Sequence, residues 1–147
     1  MEEIIFLLPY KQPFLFVDAL THIDENGAAG HYTYPEDSYF YQGHFPDYPI
    51  TPGVMLIETM AQIGLVAFGI WLMRDKMDAV PRFAFTSSNV EFYKGVFPGE
   101  KVMVSSKKMY FRLGKLKAAV EMHNASGDLL AKGELSGMML RKDKGAD

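Results

Sequence analysis

Between Gly53 and Met73 the chain carries a run, Val54-Met55-Leu56-Ile57-Glu58-Thr59-Met60-Ala61-Gln62-Ile63-Gly64-Leu65-Val66-Ala67-Phe68-Gly69-Ile70-Trp71-Leu72, that is apolar on nearly every face of a helix. A helix apolar all round has to be covered on all sides. The stretch from Gly53 to Met73 is long enough to span a membrane, but Glu58 and Gln62 sit inside it and it holds three glycines, so the sequence predicts a buried core helix. Thr51-Pro52-Gly53 predicts its start, with threonine as N-cap and proline at the first helical position.

The remaining segments must supply the cover. Ile4 to Leu8 reads as a short helix or strand ending at the Pro9 and Pro13 breaks. Leu15 to Ile23 and Ala28 to Tyr34 read as a hairpin joined by Asp24-Glu25-Asn26-Gly27. Pro35 to Pro52 has no sustained period and is rich in proline and tyrosine, which predicts an ordered loop. Arg74 to Ala79 reads as a charged surface connection before a break at Pro81. Four strands follow in the sequence pattern, Phe83 to Phe92, Lys101 to Phe111, Lys115 to His123 and Leu129 to Met139, taken as an antiparallel meander. The expected architecture is α+β: a curled antiparallel sheet wrapped around a long central helix, the hotdog fold, with a partner subunit over any face left bare. At 147 residues and 48% hydrophobic the chain suits one domain, read as 1–140 with a polar C-terminal tail at 141–147.

Composition removes several function classes. A formal charge of -3 provides no global field for nucleic acid or anionic membrane. The absence of cysteine excludes a thiolate nucleophile and cysteine-ligated metal sites. His22, His31, His44 and His123 lack zinc-ligand spacing, and there is no glycine-rich phosphate loop, so no metal and no nucleotide cofactor are expected. The acidic start Met1-Glu2-Glu3 does not suit a secretory signal, which gives a cytoplasmic expectation.

Chemistry is concentrated in His44 and Glu58. His44 lies in the loop among prolines and aromatics, and Glu58 lies about one and a half turns into the apolar helix. Imidazole removes a proton near neutral pH, and a desolvated glutamate can hold one to donate, so the two suit a base and an acid. The plainer readings are a structural carboxylate, satisfied by backbone donors or at a subunit interface, and a loop histidine that only hydrogen-bonds. Gly53 adds an N–H at the first turn of a helix, unpaired within it and at the positive end of the dipole, which suits an oxyanion donor as well as a compact turn.

Three stretches carry a resemblance. Leu8-Pro9-Tyr10-Lys11-Gln12-Pro13-Phe14-Leu15-Phe16-Val17-Asp18, Gly43-His44-Phe45-Pro46 through Thr51-Pro52-Gly53 to Glu58-Thr59-Met60-Ala61-Gln62, and Val90-Glu91-Phe92-Tyr93-Lys94-Gly95-Val96-Phe97-Pro98-Gly99-Glu100 are similar to the 3-hydroxyacyl-[acyl carrier protein] dehydratases of FabZ type, over roughly residues 6 to 135. The resemblance implies dehydration of a (3R)-hydroxyacyl thioester to the trans-2-enoyl thioester, in fatty-acid or aryl-polyene-like biosynthesis. His44 takes the role of the base at C2, Glu58 that of the acid at the C3 hydroxyl, and Gly53 N–H that of donor to the thioester oxygen. Glutamate at position 58 points to the plain dehydratase, because the branch that also isomerises the double bond has aspartate there. The substrate arrives on the phosphopantetheine arm of acyl carrier protein, and sites form across a homodimer, alone or in a trimer of dimers.

Other residues are assigned less specifically. Phe83, Phe85, Phe92 and Tyr93 suit the lining of an acyl tunnel or simply core. Lys94 suits a contact with the acidic carrier, within a wider set of Lys101, Lys107, Lys108, Lys115 and Lys117 that suits a solvated face equally well. The chain departs from the family pattern at Tyr10, usually histidine, at Asp47-Tyr48, usually glycine-asparagine, and at Thr51, usually methionine. These positions bear on acyl specificity more than on reaction type. A hotdog acyl thioesterase and a non-catalytic acyl-binding subunit are the competing readings.

Overall fold

The computed structural model describes residues 1–76 and 82–140. The expected polar tail at 141–147, the break at Pro81 and the end of the charged connection lie outside the described residues. In chain order the elements are α1 (Glu2–Leu7), β1 (Ala19–Asp24), β2 (Gly27–Thr33), a 3₁₀ turn (Tyr39–Gln42), α2 (Gly53–Ala61), a π-helical stretch (Gln62–Ala67), α3 (Phe68–Leu72), β3 (Arg82–Phe92), β4 (Lys101–Arg112), β5 (Lys115–Asn124) and β6 (Leu129–Leu140). The segments from Gly53 to Leu72 form one continuous central helix.

Two fold expectations are corrected. The sheet has the hotdog topology of one long helix on six strands, but it does not curl around the helix. It is a single open sheet in the order β1-β2-β4-β5-β6-β3, with β1 and β3 at its two edges. The helix lies on one face of it: Gly30 of β2 faces Ile63, Gly64 faces Ser106 and Val120, and Gly69 faces Leu116 and Met139. Residues outside the sheet, among them Ile4, Leu8, Phe16, Val17, Tyr34 and Tyr41, join the same buried core. The second correction concerns the meander: β4, β5 and β6 follow one another, but β3 pairs with the outer side of β6, Arg82 opposite Leu140 and Phe92 opposite Ala131. Most of β3 is exposed.

Local chemistry explains the shifted boundaries. The first strand starts at Ala19 and not at Leu15 because Phe14 and Phe16 give their backbone groups to a side chain, that of Gln62, instead of to a ladder. In the β1–β2 turn, Asp24 Oδ1 accepts from the N–H groups of Asn26 and Gly27 at 2.8 and 3.2 Å. Gly27 is required there, since a Cβ would lie 2.0 Å from the Ser106 carbonyl oxygen. The helix begins at Gly53, one residue later than expected: Pro52 is the N-cap rather than the first helical residue, and neither Thr51 nor any other side chain caps the first turn.

Candidate active site

The loop bearing His44 is closed by nested bonds. At its base the Tyr41 and Thr51 hydroxyls meet at 2.6 Å, both residues being buried. Inside that, the Ile50 N–H donates to the His44 carbonyl at 3.0 Å, and His44 Nδ1 lies 2.8 Å from the Ile50 carbonyl oxygen. Innermost, Phe45 and Tyr48 exchange both backbone bonds. A carbonyl oxygen only accepts, so Nδ1 carries the proton and the neutral ring keeps its lone pair on Nε2. The ring stacks on Phe45, with centroids 4.2 Å apart. His44 thus has its tautomer set by its own loop, with the basic nitrogen turned away from the anchoring bond.

The loop leads directly into the helix start. Thr51 N–H donates to the Val96 carbonyl at 2.8 Å, and Pro52 accepts from Met55 and Leu56. Gly53 N–H, in the first turn, has no acceptor within the helix. The Phe92 ring lies over this glycine, so a Cβ at position 53 would come 3.1 Å from Phe92 Cζ. Beside it an open hollow of about 340 Å³ is lined by Ile50, Thr51, Leu56, Phe92, Tyr93, Lys94 and Gly95.

Glu58 is half-buried rather than enclosed. Its Oε2 accepts from Gln62 Nε2 at 3.0 Å. Gln62 is fully buried and its amide orientation is fixed from the other side, since Phe16 N–H donates to Oε1 at 2.8 Å and Nε2 also donates to the Phe14 carbonyl at 3.0 Å. One amide therefore ties the carboxylate to the 14–16 segment and satisfies three buried or half-buried groups. Tyr10 stands close by: burial first, and then the negative charge of Glu58, hold its phenol above the ordinary tyrosine range. At the next residue of the helix, the Tyr34 hydroxyl meets Thr59 Oγ1, which itself donates to the Met55 carbonyl at 3.0 Å.

The structure therefore places Gly53 with Phe92, and sets Phe92, Tyr93 and Lys94 on one hollow. Phe83 and Phe85 lie on the opposite stretch of β3, away from that hollow, with Phe83 over Gly137. Lys94 pairs with Asp128 at 3.0 Å on the surface. Among the described residues His44 and Glu58 of one chain share no hydrogen bond or ion pair. No group of three His, Cys, Asp or Glu side chains suited to a metal comes together among those residues. The sequence reading assigned no role to Gln62, Tyr41, Tyr34 or Thr59. The spacing of Gln62, four residues after Glu58, was the available signal, because i and i+4 share a helix face.

The FabA-like domain family model matches residues 8–135. A 3-hydroxyacyl-[acyl-carrier-protein] dehydratase FabZ of Bacillus licheniformis is 33% identical over 137 residues, covering 91% of each chain. That of Bacillus velezensis is 34% identical over 140 residues, covering 92% of this chain and 94% of its own. Among solved structures, the dehydratase heterocomplex ApeI:P from Xenorhabdus doucetiae superposes with a TM-score of 0.81 at 17% identity, covering 95% of this chain and 91% of that one. A hypothetical thioesterase with coenzyme A from Streptococcus pneumoniae gives 0.60 at 9% identity, covering 86% and 88%. At these identities the structural likenesses show the shared fold.

Proposed function

The chain belongs to the FabA-like family, as a FabZ-type thioester dehydratase and hydro-lyase of fatty-acid-like biosynthesis, and from that premise we propose which of its residues carry the reaction. The substrate is a (3R)-hydroxyacyl thioester on acyl carrier protein. His44 Nε2 removes a proton from C2, which the thioester acidifies. The thioester oxygen takes up charge against Gly53 N–H and the positive end of the helix, where a fixed donor lowers the barrier most. Glu58 gives a proton to the C3 hydroxyl, the C3–O bond breaks, water leaves and the trans C2=C3 bond forms. The histidine has then gained one proton and the glutamate lost one, so proton exchange between them or with solvent resets the pair. Reversal of the same steps is hydration.

The observation that carries this reading is the His44 ring, held through Nδ1 on the Ile50 carbonyl so that Nε2 is the basic atom. Gln62 supports it by fixing Oε2 of Glu58, so that Oε1 is the oxygen turned to the substrate. Among the described residues no hydrogen bond or ion pair joins His44 and Glu58, which fits a homodimer in which the histidine of one copy serves with the glutamate of the other. The exposed edge strand β3 and the bare start of the helix, where Val54 is 71% exposed, are the surfaces for that second copy. Lys94, at the lip of the hollow, meets the acidic carrier; its exposed pair with Asp128 is weak enough to exchange.

Mass spectrometry of the acyl chain tests the assignment, after incubating the purified protein and a His44→Ala variant with a 3-hydroxyacyl carrier-protein substrate. Loss of one water with the thioester intact, abolished in the variant, is expected. Release of free acid would make the protein a thioesterase, and an unchanged substrate across several chain lengths would overturn the reading.

A further inference from the structure

The hydroxyl pair at the base of the histidine loop goes beyond this assignment. We propose that Tyr41 and Thr51 are positioning residues, a latch that sets His44 relative to the helix start at Gly53; the catalytic part of this inference rests on the dehydratase reading above.

Tyr41 and Thr51 are the last pair before the loop opens, on either side of Gly43 to Ile50. Every bond inside the loop is local to it: His44 to Ile50 twice, and Phe45 to Tyr48 twice. Those bonds shape the loop but do not orient it as a body. The body packs on the 95–97 segment, with the Tyr48 ring edge-on to Phe97 at 5.7 Å between centroids and Ile50 against Gly95, and its hydrogen-bonded ties to the rest of the fold are at its two ends. The Tyr41 end belongs to the 3₁₀ turn, whose Phe40 carbonyl accepts from the N–H groups of Gly43 and His44. The Thr51 end is held by Val96 and runs through Pro52 into the helix. The 2.6 Å hydroxyl bond is the side-chain tie between these ends, and it is buried, where such a bond is worth most and its loss leaves a stranded polar group. Thr51 also forgoes the capping role that its position predicts, because its hydroxyl is turned to Tyr41 while the first helical turn has no side-chain cap. The N–H of Gly53 is thereby left open to a substrate oxygen.

Four variants of the whole chain test it: Tyr41→Phe, Thr51→Val, the two combined, and Thr51→Ser, which restores the hydroxyl. Three quantities are read on each: kcat and KM with the 3-hydroxyacyl carrier-protein substrate, the ¹⁵N signals of the His44 ring, and the melting temperature. Since a small misplacement of a reacting group costs up to about 100-fold in rate, kcat is expected to fall by about tenfold or more in Tyr41→Phe and Thr51→Val with KM little changed. The double variant should be no worse than the poorer single one, because both remove the same tie. Thr51→Ser should return kcat to within about twofold of the parent. The ring signals should keep the Nδ1–H pattern in every variant, because the Ile50 bond that sets it lies inside the loop, which separates a displaced loop from a broken one. Unchanged kcat in a folded Tyr41→Phe protein, or melting-temperature losses of the two single variants that add in the double, would overturn the latch. Non-additive melting-temperature losses in a protein whose parent form makes no enoyl thioester would uphold the tie and overturn the dehydratase assignment instead.

Discussion

The two halves of the central helix are built to opposite rules. From Thr59 to Ile70 every residue is buried, whereas from Gly53 to Glu58 only Leu56 is. The second half is packing: Gly64 lets the helix settle on Ser106 and Val120, and Ile63 reaches Gly30 of β2. The first half presents its groups outward: a helix start without a side-chain cap, an exposed Val54, and a half-buried carboxylate. Gln62 stands just inside the buried half and reaches back to Glu58, so a residue anchored in the core sets one that faces out. Rigidity is thus located where it can serve the exposed groups without enclosing them.

This division can be broken experimentally. The largest effect is expected from Glu58→Gln, which keeps the shape but removes the proton: turnover should drop by about 10²- to 10⁴-fold with the melting temperature nearly unchanged. A large fall in melting temperature would make Glu58 part of the packing half. Ile63→Ala should do the reverse, costing about 2–5 kcal/mol in a urea titration through the cavity it leaves. Turnover per folded molecule should be retained, and its loss would show that the two halves are not separable. Gln62→Leu lies at the seam and should cost about 1–3 kcal/mol by stranding the Phe16 N–H, with a rate loss smaller than that of Glu58→Gln.

The smallest effect is nil at neutrality and grows only in alkali. Burial above all, then the charge of Asp18, lifts Tyr32 from 10.0 to about 12, and burial lifts Tyr34 as well. A folded-state value above the unfolded one stabilises fully below pH about 10, and that contribution is lost as pH rises toward the folded value. Between about pH 9 and about pH 11.5 the parent should therefore lose more stability than Tyr32→Phe. Equal losses would show that the Tyr32 phenol is not held protonated by the fold.

Much of this was readable from residues alone. The apolar run located the helix, the turn residues located the strands to within a few positions, and the resemblance of the stretches around His44, Gly53 and Glu58 to the FabZ-type dehydratases implied the reaction class. What escaped had a common cause. Whether a sheet curls, and whether β3 sits beside β4 or beyond β6, depends on which partner covers which face, and alternation within a strand does not encode its neighbours. Phe83, Phe85, Phe92 and Tyr93 looked alike in sequence, yet only the last two border the hollow next to Gly53. Thr51 carried a capping signature and spent its hydroxyl on a tyrosine ten residues earlier, a competition that only packing decides.

The outer place of β3 also sets an order in time. The β1–β2 hairpin and the β4–β5–β6 run join neighbours along the chain and can form as they are synthesised, but β3 is made before β4 and must wait for β6, which ends at Leu140. On the ribosome the strand holding Phe83, Phe85 and Phe92 is therefore produced early and seated last. A nascent chain stalled before Leu129 has no berth for it, and the edge on which a second copy would align comes into being only once β6 has been made.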